Sequence, residues 1–394
     1  MVSQSGSCVV TAELLIACLV LAVWIYLVAF HGGFWLMRER DDAVEPEPPR
    51  AWPSVAAIIP ARDEASVLPK SLGSLLAQDY AGKFSIIVVD DQSSDATAAV
   101  ARSLAANAKF DVAIVPGQTL PPGWTGKVWA MHQGVAHVEA AANPRDYLLF
   151  TDADIEYTSD ALRHLVARAK THDLVLTSIM AKLNCESLAE RALIPAFVFF
   201  FQMLYPFSWV NDPTAKTAAA AGGCMLVGRR ALDRAGGIAK IRSALIDDCA
   251  LAALLKKEGP IWLGLSNRVR SLRAYPRFGD IRRMVARSAY AQLRFSSFLL
   301  IATLFAMIFT YLIPPFIAFN GNFPANFIAL AAWALMALAY LPILQFYRIF
   351  PLWAVVLPVI AAAYAAFTFD SAYQHWRGRG GLWKGRSQAL AAKR

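Results

Sequence analysis

Long apolar runs stand at both ends of the chain and leave a polar-punctuated middle, an arrangement that constrains the fold more than any single motif. The run from Thr11 to Phe30 has about the 20 residues needed to cross a bilayer, with one acid, Glu13, near its start. Three more apolar stretches, about Ser297 to Phe319, Ala325 to Phe346 and Leu352 to Phe369, form a C-terminal cluster. The 394 residues, 57% hydrophobic and 17% charged, match one ordinary domain plus a membrane region. Between the runs, from about Arg50 to Asp280, the pattern alternates between short apolar strands and helical periods, as in a water-facing α/β domain.

The first run lacks the basic start and short apolar core of a signal peptide, and Met37-Arg38-Glu39-Arg40 follows it. These features predict an uncleaved anchor, residues 1–37, with its C-terminal end in the cytoplasm. An acidic, proline-rich linker, 38–52, leads to a catalytic domain over 53–280, a basic interfacial helix over 281–296, membrane helices over 297–372 and a basic tail over 373–394. If all three C-terminal stretches cross, that tail lands outside, against the positive-inside tendency. Either one stretch is re-entrant or packing overrides the rule.

The formal net charge of +9 suits nucleic acid or an anionic membrane surface. Much of it lies in Arg268 to Arg294 and Arg377 to Arg394, beside apolar runs, which favours the membrane and no nucleic-acid partner. The five cysteines show no CxxC and no metal-type spacing with histidine, so free thiols are predicted. A further apolar run, Ala192 to Val210, lies inside the globular part. Spanning would separate the two halves of the site, so it reads as an interfacial segment broken by Pro195 and Pro206, presenting Phe199, Phe200, Tyr205 and Trp209 to lipid or acceptor. A core helix of the domain is the alternative.

The chemistry-bearing residues follow the strands. The first strand ends at Pro60, before Ala61-Arg62-Asp63-Glu64; a second run, Ser85 to Val89, ends in Asp90-Asp91 and Asp95; a third, Tyr147 to Thr151, delivers Asp152-Ala153-Asp154. Strand, polar turn and helix in repetition is the pattern of an open, mostly parallel sheet, whose ligands sit at the carboxyl ends of the strands. There Pro60, Arg62, Glu64 and Asp91 are candidate donor-binding residues, while Asp95 reads as a helix cap. Two carboxylates one residue apart suit Mg²⁺ or Mn²⁺ bridging a nucleotide diphosphate. A lone DxD is weak evidence, but this one is the third acid cluster in a row at a strand end.

Pro121 to Trp129 contains Gly126-Lys127 but lacks the glycine and the Ser/Thr of a phosphate loop. Lys127 is therefore either a point charge for phosphate or a solvated surface lysine. Gly222-Gly223 permits close backbone approach or a tight turn. Asp247-Asp248 opens an apolar-periodic helix, where an N-cap explains one carboxylate but not obviously two. A transferase needs a general base; Asp248 is the first choice and Asp247 the second. Arg283, Arg287, Tyr290 and Arg294 share one face of a predicted helix that meets either lipid headgroups or the substrate diphosphate, or simply snorkels.

In their order, PARDEA, VVDDQSSDAT, GWTGKVWA, FTDADIEY, AAGGCMLV and IDDCALA resemble the family 2 glycosyltransferases of GT-A fold. With the tail WRGRGGLWKGR, the chain is similar to the hopene-associated glycosyltransferases of bacterial hopanoid gene clusters. The resemblance implies an inverting sugar transfer from a nucleotide-diphosphate sugar to a membrane lipid, a divalent metal cofactor, and a catalytic domain on the cytoplasmic face of the inner membrane. It assigns Asp91 to the nucleoside, Asp152 to the ribose or diphosphate, Asp154 to the metal and Asp248 to the acceptor hydroxyl as base. The QxxRW motif of processive members is incomplete, since Ala291 and Phe295 stand where Gln and Trp would flank Arg294. That departure implies transfer of one sugar or a few, not polymer synthesis or export.

Overall fold

The computed structural model describes residues 2–141, 145–383 and 386–387, so the end of the basic tail lies outside the described residues. The chain divides into two compact units. One comprises Arg38–Asn184, Trp209–Ala274 and Gly381–Arg394; the other comprises Met1–Met37, Cys185–Ser208 and Tyr275–Gly380.

The first unit is built on eight strands: β1 (Val55–Ala61), β2 (Phe84–Asp90), β3 (Asp111–Pro116), β4 (Tyr147–Thr151), β5 (Ile155–Tyr157), β6 (Leu176–Lys182), β7 (Cys224–Gly228) and β8 (Ile261–Ser271). They form one sheet in the order β3-β2-β1-β4-β7-β6-β8-β5. The four strands β3, β2, β1 and β4 run parallel. Strand β7 is antiparallel to both its neighbours, β6 and β8 are parallel, and β5 is antiparallel to β8. The sheet is thus mixed and mostly parallel, as the strand–turn–helix repetition predicts.

Strand β1 is buried along its whole length, because both faces are covered. Val55, Ala57 and Ile59 pack with Leu68, Leu72 and Leu75 of the helix Leu68–Leu76. On the opposite face the helix Gly126–Ala140 lies so close that a Cβ at Gly134 would stand 2.4 Å from Ile58 Cγ2. Each fully enclosed isoleucine contributes about 1.5–3 kcal/mol of burial, which this close approach protects.

Register decides which residues meet at the strand ends. Ala61 pairs with Asp90, so Arg62 and Asp91 leave the sheet side by side. Thr151 pairs with Cys224 across an antiparallel ladder, which brings Gly222-Gly223 next to Asp152. Ile155 pairs with Ser271, and just beyond that pair the Leu272 N–H donates to the Asp154 carbonyl at 2.7 Å.

The second unit is helical. Among the described residues, three of its helices are long and apolar enough to cross a membrane: Ala12–Phe30, Ser297–Asn320 and Ala325–Phe346. Leu15, Phe30, Phe298, Ile301, Phe305 and Phe327 are each more than half exposed, an outward apolar surface of the kind that marks a membrane or partner interaction. The third predicted C-terminal stretch differs. It becomes the helix Leu357–Trp376, outside that set of three, which packs along Phe278–Ala286, Ala289–Gln292 and Ser297–Met307.

A π-helical turn, Ile308–Leu312, interrupts the Ser297–Asn320 span, and Ile313 donates to the Ile308 carbonyl five residues back. Pro314 has no N–H to offer the Thr310 carbonyl. The Trp24 indole N–H fills that place at 2.9 Å, and the Trp24 ring meets Tyr311 edge-on.

Two helical expectations change. Pro195 does not break the 192–210 run: one helix, Leu188–Leu204, passes through it, opened by a capping box between Ser187 and Glu190 and ended before Pro206. Residues 185–208 belong with the terminal helices, not with the sheet. The single basic helix over 281–296 is also absent. Its parts are Phe278–Ala286 and Ala289–Gln292, after which Arg294 and Phe295 take left-handed φ values of 53° and 56°. Arg283 and Arg287 remain exposed, while Tyr290 turns inward, its N–H donating to Ser371 Oγ at 2.9 Å.

Candidate active site

The sheet's carboxyl-end turns assemble a compact charged cluster. Lys127, in the first turn of the helix Gly126–Ala140, places its ammonium 2.8 Å from Asp152 Oδ1 and 3.1 Å from Asp247 Oδ2. It is therefore not a free surface lysine. Burial opposes its charge most strongly, but Asp152 and then Asp247 outweigh that and hold the ammonium above the ordinary lysine range.

Asp247 and Asp248 open the helix Asp247–Leu255, where negative charge faces the positive end of the helix dipole. Asp248 accepts the Gly222 N–H on Oδ2 and the Cys249 N–H on Oδ1, both at 2.8 Å. Burial, and after it the Asp247 carboxylate, push its carboxyl up to about 6 against the pull of Lys127. Such a group is ionised at neutral pH yet basic enough to take a proton. Gly222 is required by space: a Cβ there would lie 3.0 Å from Lys127 Nζ and 3.2 Å from Asp248 Oδ2.

The β1 and β2 turns form the adjoining wall. Asp91 is fully buried, and Arg62 Nη1 donates to its carbonyl at 2.6 Å while lying 3.8 Å from its Oδ2. Asp63 and Gln92 adopt left-handed φ values of 51° and 55°. The turns are cross-linked: Ser94 N–H donates to Asp63 Oδ1 at 2.7 Å, and Asp63 N–H donates to Ser93 Oγ at 3.0 Å. The Ser94 N–H, and after it the Ser94 hydroxyl, hold the Asp63 carboxyl below its usual range. Ala96, not Asp95, is the N-cap of the helix Thr97–Ala105, and Asp95, one residue earlier, accepts the Thr97 N–H at 2.9 Å. Pro60 is buried in β1 beyond Ile58, the last residue paired with β4.

Arg273 carries no sequence motif, and it joins the site through register. Its Nε donates to Asp154 Oδ2 at 2.6 Å and its Nη2 to Glu64 Oε1 at 2.8 Å. The carboxylates of Asp152 and Asp154 are hard oxygen donors, and each already holds a positive group, Lys127 and Arg273 respectively. That donor chemistry fits a divalent ion completed by diphosphate oxygens. Among the described residues, no group of three or more His, Cys, Asp or Glu stands ready to hold a metal unaided.

Residues 56–236, which carry most of these turns, match the family described as Glycosyl transferase family 2. Over that stretch the chain is similar to the family 2 glycosyltransferases.

The 4,4'-diaponeurosporenoate glycosyltransferase of Staphylococcus haemolyticus (strain JCSC1435) is 37% identical over 110 residues, 27% of this chain and 26% of that protein. An N-acetylglucosaminyltransferase of Rhizobium sp. (strain N33) is 30% identical over 145 residues, 36% of this chain and 29% of that protein. The chain thus spans little more than a quarter of the length of these relatives. Among solved structures, the mannosyltransferase PcManGT from Pyrobaculum calidifontis, in complex with GDP-Man and Mn2+, has a TM-score of 0.55 at 19% identity. That likeness covers 93% of this chain and all of the other and establishes a GT-A-like fold.

The remaining candidates sit each within its own unit. Arg294 is exposed and belongs to the helical unit. Phe199 and Phe200, expected to face lipid or acceptor, are enclosed instead. Phe199 packs against Phe34 and Tyr340, and Phe200 against Tyr311 and Tyr364, because their side of the helix meets its helical neighbours. Tyr205 is half-buried, its Oη accepting from Gln292 at 2.5 Å. Trp209 is half-buried in the sheet unit, its carbonyl accepting from Lys256 at 3.1 Å.

Proposed function

We propose that this protein transfers a sugar, with inversion, from a nucleotide-diphosphate sugar to the hydroxyl of a membrane lipid, a hopanoid or a related polycyclic or polyprenyl alcohol. The observation that carries this reading is the joining of Asp152, Asp247 and Asp248 around the Lys127 ammonium at the strand ends of a family 2 domain. Relatives named for 4,4'-diaponeurosporenoate and the outward apolar helices support a lipid acceptor.

Asp248 draws the proton from the acceptor hydroxyl as its oxygen forms a bond to the anomeric carbon. The bond from that carbon to the diphosphate oxygen breaks on the opposite face, and the electron pair leaves with the diphosphate. Lys127 presents fixed positive charge where that negative charge grows, a preorganised stabilisation that is usually the largest catalytic contribution. Asp154, with Asp152, would hold a divalent ion whose Lewis acidity assists the leaving diphosphate. Asp63, Asp91 and Arg62 shape the nucleoside end of the donor site.

Membrane placement follows from parity. If the candidate helices Ser297–Asn320 and Ala325–Phe346 both cross, the chain returns to the side it left and Arg377 and Arg379 share that side with Arg38 and Arg40. That arrangement supports a cytoplasmic domain by the positive-inside tendency. The activity test is incubation of purified protein in lipid with labelled nucleotide sugars and extracted hopanoids, polyprenyl phosphate being the rival acceptor. A labelled hopanoid supports the reading; labelled polyprenyl phosphate alone replaces the acceptor, and no labelled lipid with any donor refutes it.

A further inference from the structure

We propose that Arg273 occupies Asp154 in the donor-free protein as a built-in cation and must yield that carboxylate before a divalent ion binds. The inference rests on the metal role proposed for Asp154. Asp154 leaves β4, Glu64 follows β1 and Arg273 follows β8, so one guanidinium ties three strand ends together.

The exposures are unequal. The side chains of Asp154 and Glu64 are 11% and 10% exposed, whereas that of Arg273 is 37% exposed. The guanidinium can therefore swing into solvent without unpacking the core. The Asp154 carboxylate cannot follow, and leaving it buried without a cation is strongly unfavourable. Departure of Arg273 thus requires another cation in its place, and a divalent ion arriving with a nucleotide diphosphate meets that requirement. A guanidinium released at this point keeps a planar fork suited to phosphate oxygens.

An opposite role is geometrically conceivable, in which Arg273 orients Asp154 for the metal from behind, as hydrogen bonds to ligating carboxylates do. The two roles predict opposite signs for one measurement. Mn²⁺ alone is titrated into the full-length protein in detergent, and free Mn²⁺ is followed by electron paramagnetic resonance. Competition predicts that Arg273→Gln binds Mn²⁺ about five-fold more tightly than the parent, the scale of losing one partly exposed ion pair. Arg273→Lys keeps the charge but cannot bond both carboxylates, and it falls between the two. Adding Asp154→Asn to Arg273→Gln removes the gain.

Unchanged or weaker Mn²⁺ binding in Arg273→Gln overturns the proposal. Should that variant fail to fold, Arg273→Lys decides alone, tighter binding supporting the proposal and unchanged or weaker binding overturning it. Absence of Mn²⁺ binding in every form overturns the metal role of Asp154 together with this inference. Failure of the transfer reading looks different, as no sugar transfer with any donor while the Mn²⁺ difference persists.

Discussion

Asp248 accepts the Gly222 N–H at 2.8 Å, which fixes the carboxylate at the edge of the antiparallel strand that brings Gly222 beside Asp152. The proposed base and the proposed donor residue are thereby located by one backbone hydrogen bond. Methylation of that backbone position is the mildest way to disturb them. Gly222→Ala is expected to lower transfer at least about ten-fold, since a 1 Å misplacement costs up to about a hundred-fold. Thermal unfolding should shift little, because the nearest atom to the new methyl is the flexible end of Lys127. Near-normal transfer would show that the Lys127–Asp248 spacing is not critical.

The pH dependence follows from the raised Asp248 carboxyl. Its folded pKa of about 6 lies above the usual carboxylate value, so protonation removes the base as pH falls through 6. The acid limb of kcat/KM should have its midpoint near 6 and lose about ten-fold per pH unit below it. The same shift favours the protonated folded state, so this group's contribution to stability declines as pH rises from the unfolded carboxylate value toward 6. Asp247→Asn removes the second cause of the shift and should move the acid limb downward. An unchanged limb would remove Asp247 from the electrostatics of the base.

Lys127→Met would leave Asp152, Asp247 and Asp248 without their shared ammonium. Breaking one side of a buried charge cluster costs about 3–5 kcal/mol, reduced here because Asp152 is 38% exposed. The expected outcome is a lower unfolding temperature at pH 8 that recovers toward pH 5, as the unpaired carboxylates protonate. Donor affinity, measured by calorimetry, should fall at least about ten-fold, the weight of one charge-assisted contact.

In the helical unit, Trp24→Phe keeps the ring against Tyr311 and removes the N–H that replaces the missing donor of Pro314. An orphaned carbonyl costs about 1–3 kcal/mol. Thermal unfolding in detergent should register the loss, whereas a neutral result would assign Trp24 to packing alone.

Part of the candidate site is legible in the sequence because Arg62, Asp91 and Asp152 directly follow apolar runs. A strand followed by Arg62, Asp91 or Asp152 fixes those residues at one sheet edge before any side-chain contact is known. Asp248 is legible for a similar reason, as a second carboxylate where a helix start needs one. Arg273 is not, since its meeting with Asp154 depends on pairing Ile155 with Ser271 across more than a hundred residues. Helical periodicity also overreaches at Arg294, where two consecutive non-glycine residues with positive φ end the basic face. Phe199 and Phe200 show the limit of composition: an apolar helix reads the same whether a given side meets lipid or other helices.

The most direct test of the proposed chemistry is Asp248→Asn, assayed for donor binding and for transfer in the same preparation. Asparagine keeps the size of the side chain and removes its capacity to take a proton. The variant should bind nucleotide sugar within about three-fold of the parent affinity and lose transfer by about a thousand-fold or more, the scale of a lost general base. Transfer at near the parent rate, with donor binding intact, would contradict Asp248 as the base and with it the proposed mechanism.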